Sequence, residues 1–325
     1  MTKSFFLPVN TGFFTSGNPN TKTLEFYSAR SKHGLYCSIV GNVVVANGHS
    51  SNSSCGIISE NNNWKLLADA ISNSGAKPGI QLASTWQGYI GQRSFVSKPL
   101  HAINYYADAS RNITDDEVSN FFNNLTYSTE LAISKGFRHI QIHAAHGYLL
   151  SLLLDPSFSN MHDYVIKKLI NWNTATKNEG VETSIRVSWE SGFDEKVETN
   201  RQKQILSLFN QGFDFIDLSA GYYNLNKHLI YPIEKELIDR RLKLGIEIAK
   251  SNPYQNFISS GRIDLNNLQQ LPANLHVGIC RDLIANQDFL LNKKQMCANH
   301  FKCHYFSTGK NSIDCGIWEK SLNQL

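Results

Sequence analysis

The chain has 325 residues, 41% hydrophobic and 18% charged, enough to bury a core without disulfide or metal staples. Lys and Arg total 31 against 27 Asp and Glu, and a net charge of +4 dispersed along the chain excludes the electrostatic footprint of a nucleic-acid binder. No apolar run is long enough to span a bilayer and the stretch Phe5-Phe6-Leu7 is too short for a signal peptide, so the expectation is a soluble, cytoplasmic protein with no membrane partner.

Phe5–Val9 predicts a first strand and Thr21–Lys32 a helix; Leu35–Val45 predicts a second strand, followed by a helix over Asn61–Ser74 that stops at Gly75. Pro78–Ala83 reads as a third strand. The long connection Ser84–Ile113, with Trp86, Tyr89, Arg93, Tyr105 and Tyr106, reads as a cover for an active site. A helix over Asp115–Lys135 begins at a Thr114 cap followed by Asp115, Asp116 and Glu117 and ends at Gly136. Strand and helix then alternate through His139–His143, His162–Lys177, Ser184–Ser188, Lys196–Asn210, Phe215–Ser219, Ile233–Lys250, Phe257–Ser260, Leu265–Leu271 and Val277–Cys280. Eight strands alternating with helices predict an α/β fold of the (β/α)₈ TIM-barrel type. An open dinucleotide-binding sheet is disfavoured, because Asn10-Thr11-Gly12-Phe13-Phe14 after the first strand has no G-x-G-x-x-G pattern. The expected organisation is a single barrel over residues 1–293 and a Cys-containing tail over 294–325.

Chemistry in such a barrel gathers at the strand ends. There the chain offers Asn10, Asn42, Gln81, His143 with His146 and Tyr148, Arg186, Ser219, Gly261 with Arg262, and Arg281. Paired carboxylates for glycoside hydrolysis and a carboxylate cluster for a divalent metal are both missing from this set, so no metal site is expected. Amide, imidazole, phenol and guanidinium groups suit an anionic, hydrogen-bonding aromatic ligand.

The segment His143-Ala144-Ala145-His146-Gly147-Tyr148-Leu149 carries a resemblance. With it, the chain is similar to the old yellow enzyme family of FMN-dependent NAD(P)H oxidoreductases, and further matches follow in family order. These include Gly75-Ala76-Lys77, Gln81-Leu82, Gly136-Phe137, Asp155-Pro156, Ser159-Asn160, Ser184-Ile185-Arg186-Val187-Ser188, Ser260-Gly261 and Arg281-Asp282-Leu283-Ile284-Ala285-Asn286. The resemblance implies a flavin-dependent oxidoreductase that takes NADH or NADPH as reductant and reduces an activated C=C bond of an enone, nitro compound or similar small molecule. It implies that His143 and His146 hold the substrate oxygen, that Tyr148 donates the proton, and that Arg186 lies beside the flavin pyrimidine edge with Gln81. Gly261, Arg262, Cys280 and Arg281 would hold the FMN phosphate, with Asn10 and Asn42 as weaker contributors to the cofactor site.

The family pattern is broken in places. Ser84-Thr85-Trp86-Gln87 replaces the usual His-x-Gly-Arg, and Trp86 is expected to stack at the flavin rim instead. Met161-His162-Asp163-Tyr164-Val165 replaces Arg-x-Asp-x-Tyr-Gly-Gly, and Cys280 stands for a glycine beside the phosphate. These departures motivate a second reading, a flavin-binding barrel with weakened catalysis acting as accessory, sensor or carrier. Larger relatives carry a Cys-x2-Cys-x3-Cys-x11-Cys run that ligates an iron-sulfur cluster. Here Cys303 and Cys315 keep the last spacing, Cys297 is out of register and Asn299 stands at the second ligand position, so a packed tail is favoured over a cluster. A third reading, an RNA-modifying flavin barrel like the dihydrouridine synthases, is disfavoured by the weak charge. The expected partner is a small-molecule substrate; a homo-oligomer is left open.

Overall fold

The computed structural model describes residues 1–91 and 99–318. Parallel strands β1 (Ser4–Phe6), β2 (Cys37–Val44), β3 (Lys77–Ala83), β4 (His139–Ala144), β5 (Glu182–Glu190), β6 (Phe215–Ala220), β7 (Phe257–Ser259) and β8 (Leu275–Ile279) pair in sequence order. Because β1 pairs with both β8 and β2, the sheet closes into a (β/α)₈ barrel. Helices α1 (Thr21–Arg30), α2 (Asn63–Asn73), α3 (Pro99–Arg111), α4 (Asp115–Ser134), α5 (Leu149–Leu153), α6 (His162–Asn178), α7 (Glu195–Leu206), α8 (Lys235–Ser251) and α9 (Arg281–Ala285) follow in chain order. Among the described residues no helix is long and apolar enough to cross a membrane.

The period-two alternation of the strands builds two different interiors. Ile140 and Ile142 on β4, Ile185 and Val187 on β5, and Ile216 and Leu218 on β6 join the shell between sheet and helices with Trp64, Leu67, Phe121, Leu125, Leu169 and Trp172. Each such side chain contributes ~1.5–3 kcal/mol on burial. The intervening residues His139, Gln141 and His143 on β4 and Glu182, Ser184 and Arg186 on β5 are polar, and they bond to one another inside the barrel. Phe5, Leu7, Cys37, Ile39, Phe215 and Ile258 form a separate apolar cluster toward the floor.

Most elements lie close to the sequence expectation, and the differences have local causes. Pro8 offers no N–H to the ladder, so β1 ends at Phe6 and Val9 makes an isolated antiparallel bridge to Gly41. Leu265–Leu271 forms one 3₁₀ turn, Leu268–Gln270, rather than a helix, because the Asp264 carboxylate accepts from the Asn266 and Asn267 side chains and the Asn266 backbone, and Pro272 follows. The Ser84–Ile113 connection contains α3, with Pro99 at its first position, while Arg93 lies outside the described residues. The expected helix from Lys196 to Asn210 ends at Leu206, and the short helices α5 and α9 follow strand ends directly.

At the floor, the carboxylate of Glu182 accepts from His139 Nδ1 at 2.6 Å, the Tyr36 hydroxyl at 2.6 Å and Lys77 Nζ at 3.0 Å. Burial alone would raise its pKa, but His139, then Tyr36 and Lys77, bring it from the ordinary 4.5 down to about 2. A depressed carboxylate stabilises the fold above its unfolded pKa and loses that contribution as pH falls through its folded one. Glu182→Gln is therefore expected to lower the unfolding free energy by on the order of 3 kcal/mol at neutral pH, with the difference from wild type shrinking between about pH 4.5 and pH 2. Urea unfolding of both proteins across that range checks it; a pH-independent difference would contradict it.

Candidate active site

The register across β4, β5 and β6 sets His143 beside Arg186 and Arg186 beside Asp217, so three ionisable groups share one layer near the strand ends. Asp217 is fully buried and accepts from Arg186 Nη1 at 2.9 Å and from the Gln141 side chain at 3.2 Å. Gln81 donates to Gln141 at 2.6 Å, which connects β3 to the same network. Arg186 Nη2 donates to the Ser219 hydroxyl at 3.0 Å, while its Nε, also buried, meets no protein acceptor.

After β4 the chain turns through His146 (φ 62°) and Gly147 (φ 77°). At Gly147 a Cβ would collide with the Tyr106 hydroxyl, so the turn needs glycine on both backbone and packing grounds. The turn lays the Tyr148 ring on the His143 ring, with centroids 4.6 Å apart and planes 18° apart, and places His146 edge-on to His143 at 5.1 Å. Burial, followed by the charge of Arg186, lowers the His143 pKa to about 3, and the same two causes hold His146 well below the usual imidazole range. Both rings are neutral at physiological pH.

His143 Nδ1 accepts from the Ala145 amide at 3.3 Å, which leaves the proton of the neutral ring on Nε2. His146 Nε2 shares a 2.8 Å hydrogen bond with the Ser219 hydroxyl, which also accepts from Arg186, and His146 Nδ1 is a buried atom with no protein partner. Tyr148 is 5% exposed, and burial, reinforced by Tyr223 and Tyr89, raises its pKa well above 10, so the phenol keeps its proton.

All eleven residues expected at the site line one cavity of about 210 Å³: Asn10, Asn42, Gln81, His143, His146, Tyr148, Arg186, Gly261, Arg262, Cys280 and Arg281. Asn10 also holds its own turn, accepting from the Gly12 amide at 3.1 Å. Gly261 (φ 116°) and Arg262 (φ 67°) form the loop after β7. Cys280 caps the start of α9 in the loop after β8, and burial pushes its thiol up to about 11. Trp86 is not at the cavity rim as expected. It lies behind the wall, edge-on to Tyr89 at 4.9 Å and against Tyr105 and Tyr106, and it is Tyr89 that faces the cavity.

Residues 10–299 match the NADH:flavin oxidoreductase / NADH oxidase family. The chain belongs to this family, the old yellow enzyme family. It is a flavin-dependent oxidoreductase acting on small molecules, and membership implies dependence on FMN and NAD(P)H. The oxidoreductase is 25% identical over 302 residues to an NADPH dehydrogenase of Clostridium acetobutylicum, covering 86% of each chain. Its fold matches Old Yellow Enzyme from Pichia sp. AKU4542 with a TM-score of 0.67 at 14% identity, over 90% of this chain and 82% of that one. It also matches a 2-naphthoyl-CoA reductase with a TM-score of 0.74 at 14% identity, covering 97% of this chain but 54% of that one.

The cavity fits FMN on its own terms. Arg186 Nε is a buried donor awaiting an acceptor beside Gln81, as a flavin pyrimidine edge requires, and the two loops carrying Arg262 and Arg281 meet on the same cavity. Among the described residues no group of three or more His, Cys, Asp or Glu is arranged to hold a metal. Instead Asn299 accepts from Arg262 at 3.1 Å and Arg281 at 3.4 Å, and Cys303 to Ser307 line the cavity.

Sequence reasoning missed these tail residues and the loop after β6, where Tyr223, Lys227 and Tyr231 also reach the cavity. The dense aromatics of Gly221-Tyr222-Tyr223 and His304-Tyr305-Phe306 were the available signal.

Proposed function

We propose that the oxidoreductase is an ene-reductase: it reduces an activated C=C bond of an enone, a nitroalkene or a similar small molecule, with NADH or NADPH as reductant. Its organisation is a single FMN-binding barrel over residues 1–293 with the tail from 294 completing the cavity wall. The observation that carries the reading is the stacked pair of His143 and protonated Tyr148, with His143 in the same layer as Arg186.

Bound FMN supplies hydride transfer between the nicotinamide and the substrate. The neutral imidazoles of His143 and His146 hold the carbonyl or nitro oxygen as hydrogen-bond donors, His143 through its Nε2–H. These donors strengthen their hold as negative charge grows on that oxygen. Tyr148 gives its phenolic proton to the substrate carbon next to the activating group and regains one from water. Arg186, ion-paired with Asp217, favours negative charge on a flavin pyrimidine edge, and Gln81 and Asn42 line the same cavity. Half-buried aromatic walls, Tyr89, Tyr223 and Tyr231, limit water around the transferred hydride.

Absorbance of the anaerobically purified protein tests this, with the released chromophore identified. Flavin bands that bleach with NADH or NADPH and return on adding 2-cyclohexenone are the expected result. A colourless protein that takes up no added FMN would overturn the reading, and bands that bleach but do not return with enones or nitroalkenes would remove the ene-reductase assignment.

A further inference from the structure

The backbone and the ring of His146 are held by different groups. At φ 62° the residue lies in the left-handed region, which costs a side chain other than glycine conformational energy, and contacts from β5 and β6 keep it there. Its amide donates to the Ser188 hydroxyl at 2.8 Å, and its carbonyl accepts from the Tyr223 amide at 3.1 Å. Ser188 in turn donates to the Gly221 carbonyl at 3.1 Å, so the backbone of the turn is clipped to the ends of both strands. The ring rests on another pair. Its Nε2 lies 2.8 Å from the hydroxyl of Ser219, the register neighbour of Ser188 on β6, and it meets the Tyr223 ring edge-on at 5.3 Å.

The two hydrogen-bonding neighbours of the Ser219 hydroxyl among the described residues differ in kind. Arg186 Nη2, at 3.0 Å, can only donate, because a guanidinium carries no acceptor. The hydroxyl accepts that bond and still has one proton of its own to place. Ser219 is buried, and a hydroxyl proton with no acceptor is costly there. Of the two neighbours, His146 Nε2 is the one able to take it. A neutral imidazole that accepts at Nε2 carries its proton on Nδ1. His146 is neutral, since burial and then the Arg186 charge hold its pKa well below the usual range. The residue lines the cavity, and its Nδ1 is buried with no protein partner. His143 is arranged the other way round, with Nδ1 accepting from the Ala145 amide at 3.3 Å and Nε2 left over.

We propose that Ser219 is the positioning residue of His146: it accepts from Arg186, donates to Nε2, and so keeps on Nδ1 the donor that His146 offers to the substrate oxygen. Ser219 touches neither ligand and acts through the ring. One hydroxyl thus joins the arginine assigned to the flavin edge to the histidine assigned to the substrate. The proposal rests on the ene-reductase reading for the word substrate, but not for the state of the ring.

The test uses the full-length, FMN-loaded protein. Long-range proton–nitrogen correlation spectra of protein carrying isotope-labelled histidine, with His146 assigned by the loss of its signals in His146→Asn, read which ring nitrogen is protonated. Protonated Nδ1 and bare Nε2 are expected in wild type and in Ser219→Thr, and a shift toward protonated Nε2 in Ser219→Ala. A wild-type ring protonated on Nε2 overturns the proposal without any variant, which keeps it falsifiable if Thr does not pack. Ser219→Ala leaves the Ser188 and Tyr223 bonds to the His146 backbone in place, so the turn is expected to survive. Calorimetric binding of 2-cyclohexenone to the oxidised Ala variant is expected to weaken about tenfold. Its single-turnover reduction at saturating enone is expected to slow about tenfold to a hundredfold, because the missing donor matters most as charge grows on the oxygen, and Thr is expected to restore both. FMN retention is expected to stay at the wild-type level, since Arg186 keeps Asp217 at 2.9 Å. A tautomer that Ser219→Ala leaves unchanged overturns the proposal, and so does FMN loss in step with enone binding, which assigns the serine to Arg186. A tautomer that follows Ser219 in a protein that neither binds nor reduces the enone sinks the ene-reductase reading and leaves the hold of Ser219 on the ring standing.

Discussion

Tyr148→Phe is expected to lower the rate of C=C reduction by about 10²–10⁴-fold, the usual contribution of one positioned acid, while NAD(P)H oxidation in the first half-reaction stays close to wild type. The substitution removes one oxygen and keeps the ring, so the stack on His143 at 4.6 Å and the edge contact with Tyr89 at 5.7 Å survive. Burial with Tyr223 and Tyr89 alongside keeps the phenol protonated, and the two histidines, held neutral by burial and Arg186, are poor proton donors in its place. Stopped-flow measurement of the two half-reactions separates the outcomes. A parallel loss in both would mean that Tyr148 supports binding or folding and not proton delivery. Reduction of nitroalkenes, whose product anion picks up its proton from water more readily, is expected to suffer less than reduction of enones.

Arg186→Met carries the largest expected cost to stability, about 3–5 kcal/mol of unfolding free energy at neutral pH, because it strands a buried carboxylate. Asp217 is fully buried and its pKa is already raised by burial, with the Arg186 charge as the chief influence in the other direction. With the guanidinium gone, the Gln141 amide at 3.2 Å is the remaining partner among the hydrogen bonds of that carboxylate, and Ser219 loses the Arg186 donor and keeps its contact with His146. The double variant Arg186→Met with Asp217→Asn is expected to recover a large part of the stability, since no buried charge is left unpaired. Neither protein should retain FMN as wild type does, because Arg186 Nε is the buried donor facing the cofactor site. Urea denaturation of the apoproteins isolates the stability term. A single variant as stable as wild type would show that Asp217 is neutral in the native state and that the pair is not an ion pair.

Much of the site was legible because its residues sit where barrel geometry already demands function. His143, Arg186 and Gln81 are polar residues at inward positions of strands that are otherwise Ile, Val and Leu, and a polar side chain there needs a partner, a ligand or both. The His143 to Leu149 motif added the turn that stacks Tyr148 on His143. Less legible were the loop helices. The segment from Leu265 has helix-compatible residues, yet Asp264 and Pro272 decide for a 3₁₀ turn through local hydrogen bonding that a periodicity argument weighs too lightly. The placement of Trp86 is not legible for a related reason: its neighbours Tyr105 and Tyr106 arrive from α3, nineteen and twenty residues on, and no local pattern says which of several aromatics will face the cavity.

By itself the sequence determined the alternation of strand and helix, the closed barrel it favours and the family, because each depends on short-range periodicity and on side chains carried by regular strands. Only the tertiary structure decided that His143 Nδ1 accepts from the Ala145 amide, that Asp217 neutralises Arg186, and that Lys227, Tyr231 and His304 converge on one wall. Outcomes of the last kind rest on contacts between segments far apart in the chain, such as Lys227 with Ser307 and His146 with Ser219, whose distances are set by how loops pack on the finished barrel. Periodicity fixes the direction in which a strand residue points; it carries no information about where a loop residue comes to rest.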